Sequence, residues 1–183
     1  MKYLRLAALA LPALFLTTAP LAAEDKKPLS PLDTVSAKVG GAEIKVTYSR
    51  PFTKDPKTSE VRKIWGTLVP YGKVWRTGAN AATTLTTSQT LDFGGKSIPA
   101  GTYSLFTIPE ANGGKLIINK QTGQSGLKRD EAQDVAQVDM KRSETDKAVD
   151  QFTISVDQGE GAGGTLKLAW ENAEYSVPFT VAK

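Results

Sequence analysis

Apolar residues recur at every second position through much of this chain. Ile44, Val46 and Tyr48 alternate with Glu43, Lys45 and Thr47, the pattern of a strand that buries one face. Gly40-Gly41 just before them predicts a hairpin turn out of a first strand over 35–39. The same period returns at Ala136, Val138 and Met140, then at Phe152, Ile154 and Val156. It continues through Leu166, Leu168 and Trp170, and through Tyr175, Val177, Phe179 and Val181, with turns predicted at 159–164 and at Glu171-Asn172. Residues 82–93 are threonine-rich and read as one strand, Gly94-Gly95 turns it into 96–98, and Pro99-Ala100-Gly101 makes the next corner. Residues 102–108 are apolar, β-branched or aromatic at most positions, which predicts a central strand covered on both faces. Asn112-Gly113-Gly114 closes a hairpin into 115–119.

Two stretches have no period. Residues 52–63 carry Lys54, Asp55, Lys57, Glu60, Arg62 and Lys63 and read as a long surface loop of mixed charge. Residues 120–134 form a second, with one helical turn expected near 130–135. Roughly nine or ten short strands without an amphipathic helix predict an all-β antiparallel β-sandwich, with a closed barrel as the competing architecture.

The N-terminus departs from this pattern. Lys2 and Arg5 precede an apolar run over 6–16 and the small residues Ala22-Ala23, the layout of a secretory signal peptide. The run is too short to span about 30 Å of hydrocarbon as a helix, and no later stretch is longer, so no transmembrane segment is expected after cleavage. The expected organisation is a signal peptide over 1–23, a flexible leader over 24–33 and a single β-sandwich domain over 34–183. The expected location is periplasmic or secreted.

Composition narrows the chemistry. Of 23 basic and 19 acidic residues, removal of 1–23 takes Lys2 and Arg5, leaving 21 against 19 and a net charge of +2. That is too weak a bias for a nucleic-acid surface, which needs a dense basic stripe. The chain has no cysteine and no histidine. Disulfides, Ser-His-Asp and Cys-His catalysis, and zinc held by imidazole or thiolate are therefore excluded. The acids are scattered rather than spaced as in a calcium loop, so no metal is expected, and no motif points to a cofactor.

One stretch concentrates the remaining chemistry. Residues 70–84, Pro-Tyr-Gly-Lys-Val-Trp-Arg-Thr-Gly-Ala-Asn-Ala-Ala-Thr-Thr, hold two aromatics, two cations and an amide around a predicted bend at Thr77-Gly78-Ala79-Asn80. They contain no nucleophile-and-base pair. Tyr48-Ser49-Arg50-Pro51, Ile64-Trp65-Gly66, the run from Leu68 through Trp75-Arg76-Thr77-Gly78-Ala79-Asn80, and Pro99-Ala100-Gly101-Thr102-Tyr103 with Leu105-Phe106-Thr107-Ile108-Pro109 resemble the signature blocks of an exported bacterial family. That family is domain of unknown function 2911. The resemblance covers 30 to the C-terminus and implies a β-rich envelope or secreted domain with no assigned activity. The chain departs from the family pattern in carrying Ala81 where a Glu often follows the Gly-Ala-Asn triplet, and in its longer 52–63 loop.

Aromatics beside cations are a common way to hold sugars or anions. Arg50, Lys73, Trp75, Arg76 and Asn80 are the candidate ligand-binding residues, and no catalytic residue can be assigned. The alternative for Trp65 and Trp75 is a place in the core, for Asn80 a turn cap, and for Tyr103 a corner hydroxyl bonded to backbone. Three functions follow. The favoured one is a non-catalytic module for a small anionic or carbohydrate ligand or an envelope partner. The second is a histidine-free hydrolase built on paired carboxylates about 5–9 Å apart. The third is a purely structural envelope domain, in which Lys73 and Asn80 are candidates for an amide crosslink.

Overall fold

The computed structural model describes residues 29–182. The signal-peptide stretch and leader residues 24–28 lie outside the described residues. The chain runs through β1 (Leu32–Val39), β2 (Ala42–Ser49), β3 (Thr83–Thr87), β4 (Leu91–Asp92), β5 (Ser97–Ile98), β6 (Gly101–Glu110), β7 (Gly113–Asn119), β8 (Asp134–Gln158) and β9 (Gly163–Val181). These form one antiparallel sheet in the order β1-β2-β3-β6-β7-β8-β9-β4-β5. The sheet is open at β1 and β5, so the architecture is all-β and sandwich-like rather than a closed barrel.

The alternating positions face inward. Ile44, Val46, Tyr48, Leu85, Leu105, Leu116, Ile118, Met140, Phe152, Ile154, Leu168, Trp170 and Tyr175 all belong to one buried cluster. The sheet folds over on itself to enclose them, which brings the end of β2 against the second half of β8. There the Tyr48 hydroxyl accepts the Ile154 N–H at 2.9 Å, and Phe152 N–H donates to the Pro51 carbonyl at 2.9 Å. β6 is covered on both faces, since Phe106 packs with Ile117 and Ala82 on the side away from the main core.

The sequence pattern misleads at three points. The expected strand over 82–93 breaks at Ser88-Gln89-Thr90, where Thr87 Oγ1 donates to the Gln89 carbonyl at 2.7 Å. The break lets β3 pair with β2 and β6 while β4 pairs with β9, so the chain changes layers there. Glu171-Asn172 is no turn, because β9 runs straight through it. Glu171 adopts a left-handed φ of 55°, and the register slips against β8 between Glu144 and Thr153. Such a bulge flips the inward face from Trp170 to Ala173 without ending the strand. Finally, β1 starts at Leu32, inside the segment read as leader. Its alternation is muted because, as an edge strand, it leaves four of its eight residues exposed and buries only Val39.

The long excursion over 50–82 contains no named strand. It folds across one end of the sandwich, tied by isolated bridges from Phe52 to Gln151 and from Trp75 to Thr107. The 120–133 loop, ending in a short 3-10 turn at Glu131–Gln133, lies beside it. Among the described residues no helix is long and apolar enough to cross a membrane.

Candidate functional site

Trp75 is the link between this excursion and the core. Its backbone donates to the Thr107 carbonyl at 2.7 Å and accepts the Thr107 N–H at 2.9 Å, which adds a single rung to the edge of β6. Its ring lies parallel to Trp170, with centroids 5.9 Å apart at 17°, and meets Phe152 and Trp65 edge-on at 5.0 and 5.8 Å. Trp65 is fully core, and its indole N–H donates to the Trp170 carbonyl at 2.8 Å. Trp170 Nε1, by contrast, is buried without a hydrogen-bond partner among the described residues. Leaving such a donor unpaired costs about 1–3 kcal/mol.

The bend after Arg76 is strained. Thr77 is completely buried yet has φ 53°, and Gly78 and Asn80 follow at 143° and 60°. A β-branched residue in the left-handed region is a genuine outlier that persists only where its surroundings over-determine it. Here they do. Thr77 Oγ1 bonds Thr107 Oγ1 at 3.3 Å, and the Thr77 carbonyl accepts Thr83 Oγ1 at 2.6 Å. A Cβ on Gly78 would lie 2.8 Å from the Ser49 carbonyl oxygen, so only glycine fits. The Asn80 carbonyl accepts the Gly126 N–H at 3.1 Å, while Asn80 Nδ2 donates to Ser30 O and Ser49 Oγ at 3.4 Å.

Beside the bend lies a cleft of about 340 Å³. Trp75 and Trp170 line it together with Phe52 and Leu68, and its charged residues are Lys54, Arg62 and Arg76, with no carboxylate. Arg62 is partly committed, since Nη2 donates to the Phe52 carbonyl at 2.6 Å and Nη1 sits 3.7 Å from Asp55. The Asp55 carboxyl is itself held below its usual range by the Lys57 and Thr58 amides. Lys54 and Arg76 make no ion pair or side-chain hydrogen bond among the described residues.

The five residues singled out in the sequence do not all converge. Trp75, Arg76 and Asn80 share this cleft. Lys73 opens instead onto a second cleft of about 430 Å³ on the other side of Trp75 and Arg76. Arg50 lies apart from both, at the β2–β8 seam, where it donates to Phe152 O at 3.0 Å, Thr153 Oγ1 at 2.8 Å and Asp33 Oδ2 at 3.0 Å. Its guanidinium holds the two layers together. Lys73 and Asn80 line different clefts, which leaves the crosslink reading without its geometry. None of five clefts on the described surface brings two carboxylates together. The largest, about 540 Å³, lies over β1, β2 and β3 and contains no aromatic residue.

A family model described as protein of unknown function (DUF2911) matches residues 30–179. The chain belongs to this family. No curated protein and no solved structure matches it. Within this DUF2911 domain, the matched span takes in the whole Trp75–Asn80 bend and, apart from Leu29, every residue that lines the two clefts beside it. Sequence reasoning missed Lys54, Arg62, Phe52 and Trp170 as cleft residues. The density of cations over 52–63 was the only local signal for the first two; Trp170 reads in sequence simply as an inward strand position.

Proposed function

We propose that this DUF2911 domain is a binding module for a small anionic ligand, an acidic sugar or comparable carboxylate or phosphate, taken up beside Arg76. The reading rests on one observation above all. The cleft gathers Lys54 and Arg76, neither ion-paired among the described residues, beside the partly committed Arg62, around aromatic walls and with no acid in its lining. A guanidinium without an ion pair or side-chain hydrogen bond among the described residues, set against aromatic walls, suits an anionic ligand. Backbone held in a strained bend at the same place agrees with a preorganised site. The N-terminal stretch over 1–23 supports action outside the cytoplasm, in the periplasm or secreted.

Thermal unfolding of the mature protein with galacturonate, and separately with inorganic phosphate, tests the reading. A ligand at a hundred times its Kd stabilises the fold by about 2.7 kcal/mol. Arg76→Ala is expected to keep the fold and lose the ligand-induced shift. An equal shift in Arg76→Ala, or none with any anion in the wild type, rejects it in favour of a structural domain. Collapse of the fold in Arg76→Ala would assign the guanidinium to the scaffold.

A further inference from the structure

The cleft beside Lys54 and the cleft beside Lys73 adjoin, and together they offer one track. They share Leu68, Trp75 and Arg76, which form the divide between them. The Arg76 stem is wedged against Gly126, where an added Cβ would come within 2.7 Å of Arg76 Cδ, so the stem is held in place on that divide. Beyond it on one side lies Lys54 with Phe52; on the other lie Lys73, Val74 and Leu127. Val74 and Leu127 are 46% and 79% exposed, apolar surface lying open along the second half. Arg129 in that half is already neutralised, at 3.2 Å from Glu131 and 2.7 Å from Asp134. Among the cations that line the two clefts, those without an ion pair among the described residues are thus Lys54 in the first, Arg76 in both and Lys73 in the second, and Glu131 is the one carboxylate in either lining.

Resting on the proposed anion site, we infer that the ligand is a linear acidic oligosaccharide that crosses the Trp75–Arg76 divide, with one acidic unit near each of the three cations. Each half alone, at about 340 and 430 Å³, is at the small end of ligand pockets, and the two adjoin at Leu68, Trp75 and Arg76, which line both. An acidic chain offers a carboxylate to each of these cations, whereas a single small anion leaves one lysine without a role. Ring faces of sugars suit the intervening apolar and aromatic surface. Nucleic acid fits less well, because binding single strands calls for a dense basic groove with several open stacking faces, and here three free cations accompany a single half-buried indole.

Calorimetric titration of the mature protein with galacturonate monomer, trimer and hexamer tests this, with oligothymidylate as the competing polyanion. Affinity should rise tenfold or more from monomer to hexamer, as linked subsites predict. Lys54→Ala and Lys73→Ala, both at exposed positions, should each weaken the hexamer several-fold while leaving the unfolding midpoint unchanged. Equal affinity at all lengths, or loss with only one of the two lysines, overturns the track. If the monomer then still binds in an Arg76-dependent way, the simpler anion site survives it. Tighter binding of oligothymidylate than of the hexamer, or binding of phosphate with no response to any uronate, also overturns the oligosaccharide assignment.

Discussion

Trp75 lies parallel to Trp170 at 5.9 Å, one ring half-buried and the other sealed in the core. The pair carries the cleft wall directly on the packing that stabilises the sandwich. Trp170 is 1% exposed and meets Trp65, Trp75 and Phe152, so Trp170→Ala is expected to cost about 3–5 kcal/mol in urea unfolding. Trp75→Ala should cost less, because part of its ring already faces solvent. A larger loss from Trp75 than from Trp170 would show that the excursion, rather than the sheet, holds this end of the fold.

Arg50 is expected to act on stability. Its contacts to Phe152 O and Thr153 Oγ1 cross the seam between layers, and Arg50→Ala leaves those acceptors without their charged donor. Hydrogen bonds to charged groups are worth about 1.5–3 kcal/mol each, and a loss of this order should appear in chemical denaturation. Asp33→Asn, which removes only the half-exposed ion pair, should cost under about 1 kcal/mol. Neither change should reduce anion binding.

Gly78→Ala tests the bend. The new methyl would meet the Ser49 carbonyl at 2.8 Å and force an alanine to hold φ 143°. Backbone strain of this kind costs about 1–3 kcal/mol, and relieving it must shift either Ser49 or the Thr77–Asn80 loop. A lowered unfolding midpoint together with weakened anion binding is the expected result.

The alternation that makes β2, β8 and β9 visible in the sequence is a direct trace of one-sided burial, which is why the fold class can be read from it. The bulge at Glu171 is invisible because no glycine marks it; a glutamate takes the left-handed φ, with its carboxylate drawn 3.3 Å from the Ile64 N–H and 3.4 Å from the Trp65 N–H. The cleft is only half legible for a related reason. Arg76 and its bend are contiguous, but Lys54 and Trp170 reach the site through the fold of the whole sheet. Arg50 looks like a ligand residue in sequence because a cation beside a conspicuous turn carries no record of which carbonyls it faces.

Alkaline pH should weaken the fold through Tyr175. Burial, with the nearby Tyr71 adding to it, pushes its hydroxyl up to about 12, and the hydroxyl donates to the Glu110 carbonyl at 2.9 Å. The folded state therefore prefers the neutral phenol more strongly than the unfolded chain, whose tyrosines titrate near 10. Stability from this group is complete below about pH 10 and is lost as the pH rises toward 12. Tyr175→Phe should flatten that loss without abolishing it, since burial also raises Tyr48 and Tyr103. An unchanged alkaline slope would place the titrating group elsewhere.

The most direct test of the anion cleft is a two-dimensional amide spectrum of the mature protein titrated with galacturonate trimer. The chain has three tryptophans, so three indole N–H signals report on the cleft and its floor. The account predicts that the Trp75 and Trp170 indoles shift together with the amides of Thr77, Gly78 and Asn80, while the Trp65 indole, bonded to the Trp170 carbonyl at 2.8 Å, moves least. Shifts confined to the β1–β2–β3 face around Lys38, Lys45 and Thr86, with the Trp75 and Trp170 indoles unmoved, would contradict it.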